Sequence, residues 1–511
     1  MKTSRKRFPK LIYGGTALHL VLASGLAAAA AAADASGSGP KLPRLFPDYA
    51  GITLPPNIAP LNFRVEEPGN RFQADLHSVT GPALHLSGRK STFQIPMKAW
   101  NNLLQANAGN PFYWDISTQD ARGEWRRFTT ATNYIAREPI DPYIAYRLLK
   151  PLYNAYMNLG IYQRHVETFK QRPILENSKF DHKCLNCHTF LNRRPDTFVF
   201  HTRLSGKVHP MLLVRSNEVA RVNQTMGYIS WHPSGRLLAF SANKLSMFSH
   251  TLGETRDVYD ASSNLGIYRV DSNTVVFPPA ISVTNLNETW PSWAPDGRYL
   301  YFCRAAPLPL QNFRQIKYDL VRISFNIESD TWGQVEMVLA AQDSHLSAAE
   351  PRVSPDGRLL LFCLSAFGNF PIYQQSSDLY AMDLGTRAWR RLEINSDQTD
   401  SWHCWSSNGR WVVFSSKRLD GLFARPHFAY VGADGQFHKP FLLPQADPAF
   451  YDTYLKTFNA PEFVLGPVTV TQDQLAEAIN KPKNVLVPKV NAATPPPETG
   501  GGEGQSAYHP E

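Results

Sequence analysis

"TWPSWAPDGRYLYFCRA" (residues 289–305) joins an apolar strand to a turn ending in Asp-Gly, then Arg, then a second apolar strand. Three further stretches repeat the pattern: "GYISWHPSGRLLAFSAN" (227–243), "EPRVSPDGRLLLFCLSA" (350–366) and "SWHCWSSNGRWVVFSSK" (401–417). The turn glycines Gly235, Gly297, Gly357 and Gly409 lie 62, 60 and 52 residues apart. Glycine supplies the positive φ that a tight hairpin needs, and Ser, Asp or Asn before it tolerates the turn by local hydrogen bonding. Between the copies stand other strand-like runs, such as "NLGIYRVDS" (264–272), "DLVRISFN" (319–326) and "DLYAMDLG" (378–385). Two hairpins per repeat make a four-stranded blade. The sequence therefore predicts a mainly β chain built around a β-propeller. A fainter copy, "CLNCHTFLNRRPDTFVFHTR" (184–203) with "MLLVRSNEVARV" (211–222), brings the count to five blades, or six if N- or C-terminal strands close the ring.

The repeats resemble the TolB-type propeller, whose blades carry the same W-S-P-D-G-R-x-L-x-F pattern. Around them the composition predicts further segments. Residues 34–55 are rich in Ala, Gly, Ser and Pro and read as a linker. Residues 56–136 hold short alternating runs such as "RFQADLHSV" and "FYWDIST", which suggest a small β-sandwich. Residues 137–196 read as a helical segment, broken near Pro151 and Gly160, with Tyr143, Tyr146, Tyr153 and Tyr156 at mostly helical spacing. The propeller is expected over 197–465. A tail follows over 466–511, disordered by composition from about residue 487.

The N-terminus places Lys2, Arg5, Lys6, Arg7 and Lys10 before an apolar run and a string of alanines with A-x-A sites. That order is a secretory signal peptide over 1–33, and export to the periplasm is the expected destination. The run from Leu11 to Ala33 is also nearly long enough to stay as a membrane anchor. Removing those five charges lowers Lys+Arg from 52 to 47 against 43 acidic residues, so the formal charge falls from +9 to about +4. No long basic run remains, which argues against nucleic acid as a partner. A mean hydropathy of −0.32 argues against a multispanning membrane protein.

"FDHKCLNCHTF" (180–190) carries Cys184, Cys187 and His188; the other cysteines are Cys303, Cys363 and Cys404. A structural zinc site wants a second knuckle close by, and none is near. A thioredoxin-like pair wants a βαβ setting that the flanks do not offer. C-x-x-C-H is the attachment signature of a covalent haem c: the thiols take the two vinyl groups and the histidine becomes the proximal iron ligand. Cys184 and Cys187 are thus the expected haem thioethers and His188 the axial ligand. For the sixth position His201, in "FVFHTR", is the first candidate and Met211 the alternative, with His209, Met226 and His182 as competitors. Asp296, Asp356 and the turn serines read as hairpin residues. Cys303 and Cys363, at equivalent positions in successive copies, read as small buried hydrophobes that could also form a bridge.

Several segments together, "YRLLKPLYNAYMNLGIYQR" (146–164), "CLNCHTF", "FVFHTR", "FGNFPIYQQSSDLY" (367–380) and "SSKRLDGLFARPHFAYVGADGQFHKPFLLPQ" (415–445), resemble a group of exported bacterial proteins. That group combines a TolB-like propeller with one cytochrome-type C-x-x-C-H, and the likeness runs from about Asn57 to Val468. It implies haem at Cys184, Cys187 and His188. After Arg203 the chain reads Leu-Ser-Gly-Lys-Val-His where the group would place a glycine-rich turn. Three functions follow as expectations. One is a monohaem electron-transfer or redox-sensing protein whose propeller docks a redox or envelope partner. Another is a TolB-like scaffold with a structural haem or a disulfide. The third is a haem enzyme or gas sensor with an open iron position. A propeller-linked serine hydrolase is excluded by the lack of any G-x-S-x-G.

Overall fold

The computed structural model describes residues 41–150, 158–204, 208–248 and 257–492. The proposed signal peptide, and with it any anchor, lies outside them. Among the described residues no helix is long and apolar enough to cross a membrane.

The repeated motif forms the predicted hairpins. Gly235, Gly297, Gly357 and Gly409 take φ of 73°, 72°, 74° and 67°. In each turn the residue before glycine accepts a hydrogen bond from the backbone N–H of the following arginine. Ser234 Oγ does so from Arg236 at 3.2 Å, Asp296 Oδ1 from Arg298 at 2.9 Å, Asp356 Oδ1 from Arg358 at 3.1 Å and Asn408 Oδ1 from Arg410 at 3.0 Å. These side chains close Asx- and ST-type turns, so the aspartates and the turn serine are hairpin residues, as the pattern indicated.

Among the described residues six antiparallel four-stranded meanders result. The first joins Thr457–Val464, Tyr143–Leu149, Gly160–His165 and Gln171–Glu176. The second holds Cys184–Phe190, Thr197–Arg203, Met211–Arg215 and Glu218–Val222. The third to sixth begin with Gly227–Trp231, Asn287–Trp293, Ser347–Val353 and Asp400–Trp405. These leading strands touch one another in sequence, and Thr457–Val464 touches both Asp400–Trp405 and Cys184–Phe190, so the contacts form a closed cycle. The arrangement is consistent with a β-propeller.

Each leading strand carries a register shift at the same place, where two residues oppose one on its neighbour. The first residue of the bulge is Tyr228, Trp290, Glu350, Trp402 or Ala460 in five of them, with φ between 43° and 56°. Non-glycine residues reach this region only where surrounding structure forces them.

Four expectations are corrected. The described residues of 143–176 hold three strands, Tyr143–Leu149, Gly160–His165 and Gln171–Glu176, and not helices: Tyr143–Leu149 is covered on both faces, burial that removes the polar alternation by which a strand is recognised. Tyr153 and Tyr156 fall outside the described residues. The meanders therefore start at Tyr143, well before residue 197. The supposed linker is structured from Leu45, with Tyr49, Ile52 and Leu54 buried and two short strands. The tail is ordered to residue 492: a helix, Gln472–Asn480, carries a capping box at Thr471, and strands Val485–Leu486 and Lys489–Ala492 add in parallel to the second and third meanders.

Residues 45–140 form a three-stranded and a six-stranded sheet with one helix, Met97–Ala106. Their core (Tyr49, Phe63, Trp100, Trp114) is continuous with Trp411, Phe428 and Phe441 of the sixth meander. Trp411 Nε1 donates to the Glu138 carbonyl at 3.0 Å, and the Ser407 backbone N–H donates to Asp141 Oδ2 at 2.8 Å.

Candidate functional site

C-x-x-C-H lies on the leading strand of the second meander, at its bulge. Cys184 pairs with Arg203 and Leu185 with Thr202, but His188 pairs with Phe200, so Asn186 and Cys187 together oppose His201. The motif is therefore extended rather than helical. The extra residue of the bulge resets which way the chain faces beyond it.

Cys184 and His188 are buried, each about 6% exposed. Arg147, on the neighbouring meander, donates from Nη2 to Cys184 Sγ at 3.9 Å and from Nη1 to Asn186 Oδ1 at 3.3 Å. Neither ring nitrogen of His188 has a hydrogen-bond partner of ordinary geometry, though the Ala145 carbonyl approaches it. Burial, reinforced by the charge of Arg147, holds its pKa down to about 4. The imidazole is thus neutral at physiological pH, with a free lone pair. On the bulge position equivalent to His188, the strand Thr457–Val464 presents Glu462. Its Oε1 accepts from the Phe190 backbone N–H at 2.9 Å, and burial raises its pKa to about 7.

The two distal candidates sit elsewhere. Directly opposed residues of an antiparallel pair share a face, and successive residues alternate. His188 shares a face with Phe200, in the cluster with Phe190 and Phe198. His201 opposes Met211 on the other face, where Met211 packs with Val199 and Met226. His201 Nε2 donates to the His209 carbonyl at 3.0 Å. Arg147 reaches the Cys184 sulfur and acts on the His188 ring by its charge, while His188 and His201 fall on opposite faces of the sheet. His182 is exposed, with φ of 53°.

The donor set can be tested against a covalent haem. A buried neutral imidazole, approached only by the Ala145 carbonyl and directly after two cysteines, is the state an axial ligand needs, and a poorly satisfied polar ring in a core is otherwise costly. In this respect the residues fit. Arg147 and Glu462 escaped sequence reading because their proximity depends on the pairing of residues 143–149 with 457–464, more than 300 residues later.

No family model matches the chain, and no curated protein does. Among solved structures, prolyl oligopeptidase B from Galerina marginata bound to a 25mer macrocyclization substrate is similar at 10% identity and a TM-score of 0.34, over 65% of this chain. The likeness spans 42% of that enzyme, less than half its length. An oligogalacturonate lyase in complex with manganese is similar at 11% identity and a TM-score of 0.32, over 64% of this chain and 87% of the lyase. The Swd1 β-propeller domain from Myceliophteria thermophila is similar at 14% identity and a TM-score of 0.30, over 50% and 71% of the two chains.

Proposed function

We propose that this chain is a monohaem c-type redox protein of the bacterial periplasm, passing or sensing electrons, with its six meanders serving as the blades of a TolB-type docking platform for a redox or envelope partner. The observation that carries the reading is His188: buried, with neither ring nitrogen in a hydrogen bond of ordinary geometry, immediately behind Cys184 and Cys187. In this reading Cys184 and Cys187 would hold a haem c through thioethers and His188 would be an iron ligand; the group would supply one-electron iron chemistry. Burial, with the charge of Arg147 added, keeps His188 unprotonated, and Arg147 donates to the Cys184 sulfur. Phe190, Phe198 and Phe200 line the same face with apolar surface that keeps water away. His201 and Met211 take no part, since they face the other side of the sheet.

Co-expression with cytochrome c maturation machinery and haem staining on a denaturing gel tests this. The native chain should stain and Cys184→Ala/Cys187→Ala should not. His188→Ala should alter the absorption spectrum, whereas His201→Ala should leave it unchanged. A native chain without stain would overturn the proposal.

A further inference from the structure

A second group of ligating side chains lies away from C-x-x-C-H, where the fifth and sixth meanders meet. Glu350 stands at the bulge of Ser347–Val353, Cys363 on the adjoining strand Leu359–Ser365, and His403 at the bulge of Asp400–Trp405. All three are buried: Cys363 is 0% exposed, Glu350 3% and His403 5%. Cys363 Sγ is 3.2 Å from Glu350 Oε2 and 3.8 Å from His403 Nδ1, and Nδ1 is 3.9 Å from Oε2. With metal–ligand bonds of about 2.0–2.3 Å, the edges of a tetrahedral zinc site are about 3.3–3.7 Å long. The triangle is close to one face of such a site.

The hydrogen bonds around the triangle point the donors inward. His403 Nε2 lies 3.2 Å from the Leu361 carbonyl, which can only accept. With the ring proton on Nε2, the Nδ1 lone pair faces the sulfur and the carboxylate, the second-layer arrangement usual for a metal-bound histidine. The Trp402 backbone N–H fixes Glu350 Oε2 at 2.6 Å. Glu350 Oε1 is buried with no hydrogen-bond partner, and so is free to complete the coordination. Glu350 is held at φ of 56° and the adjoining Trp402 at 50°; such backbone persists only where its surroundings impose it.

We propose that Glu350, Cys363 and His403 form a binding site for one zinc-class divalent cation, which ties the fifth meander to the sixth. Binding replaces the proton on Cys363 Sγ by the metal and releases that proton to solvent; no electron moves. The site is independent of haem attachment.

The test uses the full chain produced with zinc, or with cobalt as a spectroscopic stand-in, then dialysed exhaustively. Elemental analysis should find one zinc or cobalt per chain, counted apart from any iron, and the cobalt form should show tetrahedral visible bands with one thiolate-to-cobalt charge-transfer band. Both should persist in Cys184→Ala/Cys187→Ala, which removes the C-x-x-C-H thiols. Both should vanish in Cys363→Ser, and Glu350→Gln should weaken metal retention by at least about tenfold. Should Cys363→Ser fail to fold, the thiolate band of the Cys184→Ala/Cys187→Ala protein decides together with its weakening in Glu350→Gln, the carboxylate that Cys363 Sγ bonds. A dialysed chain that keeps no metal, or bands that disappear with Cys184 and Cys187, would overturn the proposal.

Discussion

Asp260 illustrates what a single buried side chain does to this protein. Its carboxylate is held by the amides of Asn243 at 2.7 Å and Asn369 at 3.1 Å, yet burial outweighs them and raises its pKa from the usual 3.8 to about 7. Below pH about 4 the group is protonated in both folded and unfolded chains. From there to about 7 the unfolded chain ionises first, so stability falls as pH rises and the loss is complete above 7. Buried histidines act with the opposite sign: His201, held down to about 3, contributes stability that is lost as pH falls below its usual 6.5. A comparison of Asp260→Asn with the parent isolates one from the other. Between pH 4 and 7 the parent should lose on the order of 3 kcal/mol relative to the variant in denaturant titrations. A constant difference across that range would refute the assignment.

At the scale of elements, the repeated hairpin separates two costs that the sequence alone merges. Gly297 and Gly357 have the same φ within a few degrees. A Cβ on Gly357 would meet nothing within 4 Å, while one on Gly297 would come within 2.5 Å of His232 Nε2, which bonds the Gly297 carbonyl at 3.1 Å. Gly357→Ala should cost about 1–2 kcal/mol for the left-handed backbone alone. Gly297→Ala should cost about 1 kcal/mol more, as the ring is displaced and its hydrogen bond lost. Equal chemical-denaturation midpoints for the two would contradict this. The hairpins were legible because Ser, Asp or Asn before Gly-Arg encodes a local hydrogen bond. The strand Tyr143–Leu149 was not, because cover on both faces leaves no period to read. The same limit hid the bulges: Glu350 and His403 are ordinary letters in their copies until two strands are laid side by side. Cys184 and His188 were singled out from their spacing alone, whereas the facing of His201 required the register.

For the whole molecule, the cycle of leading strands depends on Thr457–Val464 pairing with Tyr143–Leu149. A chain ended at Lys456 lacks that strand. It exposes Ile144, Tyr146 and Leu148, all now buried, along an unpaired edge. Such a chain should lose its single cooperative melt and elute as aggregate in size-exclusion chromatography; an unchanged melt would show that the closing strand is dispensable.

That closure also sets a clock. The two partners are separated by more than 300 residues, and chains grow at about 5–20 residues per second. For roughly 15–60 s of synthesis, then, the strand from Tyr143 exists without its partner. The early meanders must either wait unfolded or hold an open edge for that time. The order in which the chain is made thus places the last strand in control of when the first is safe from its neighbours.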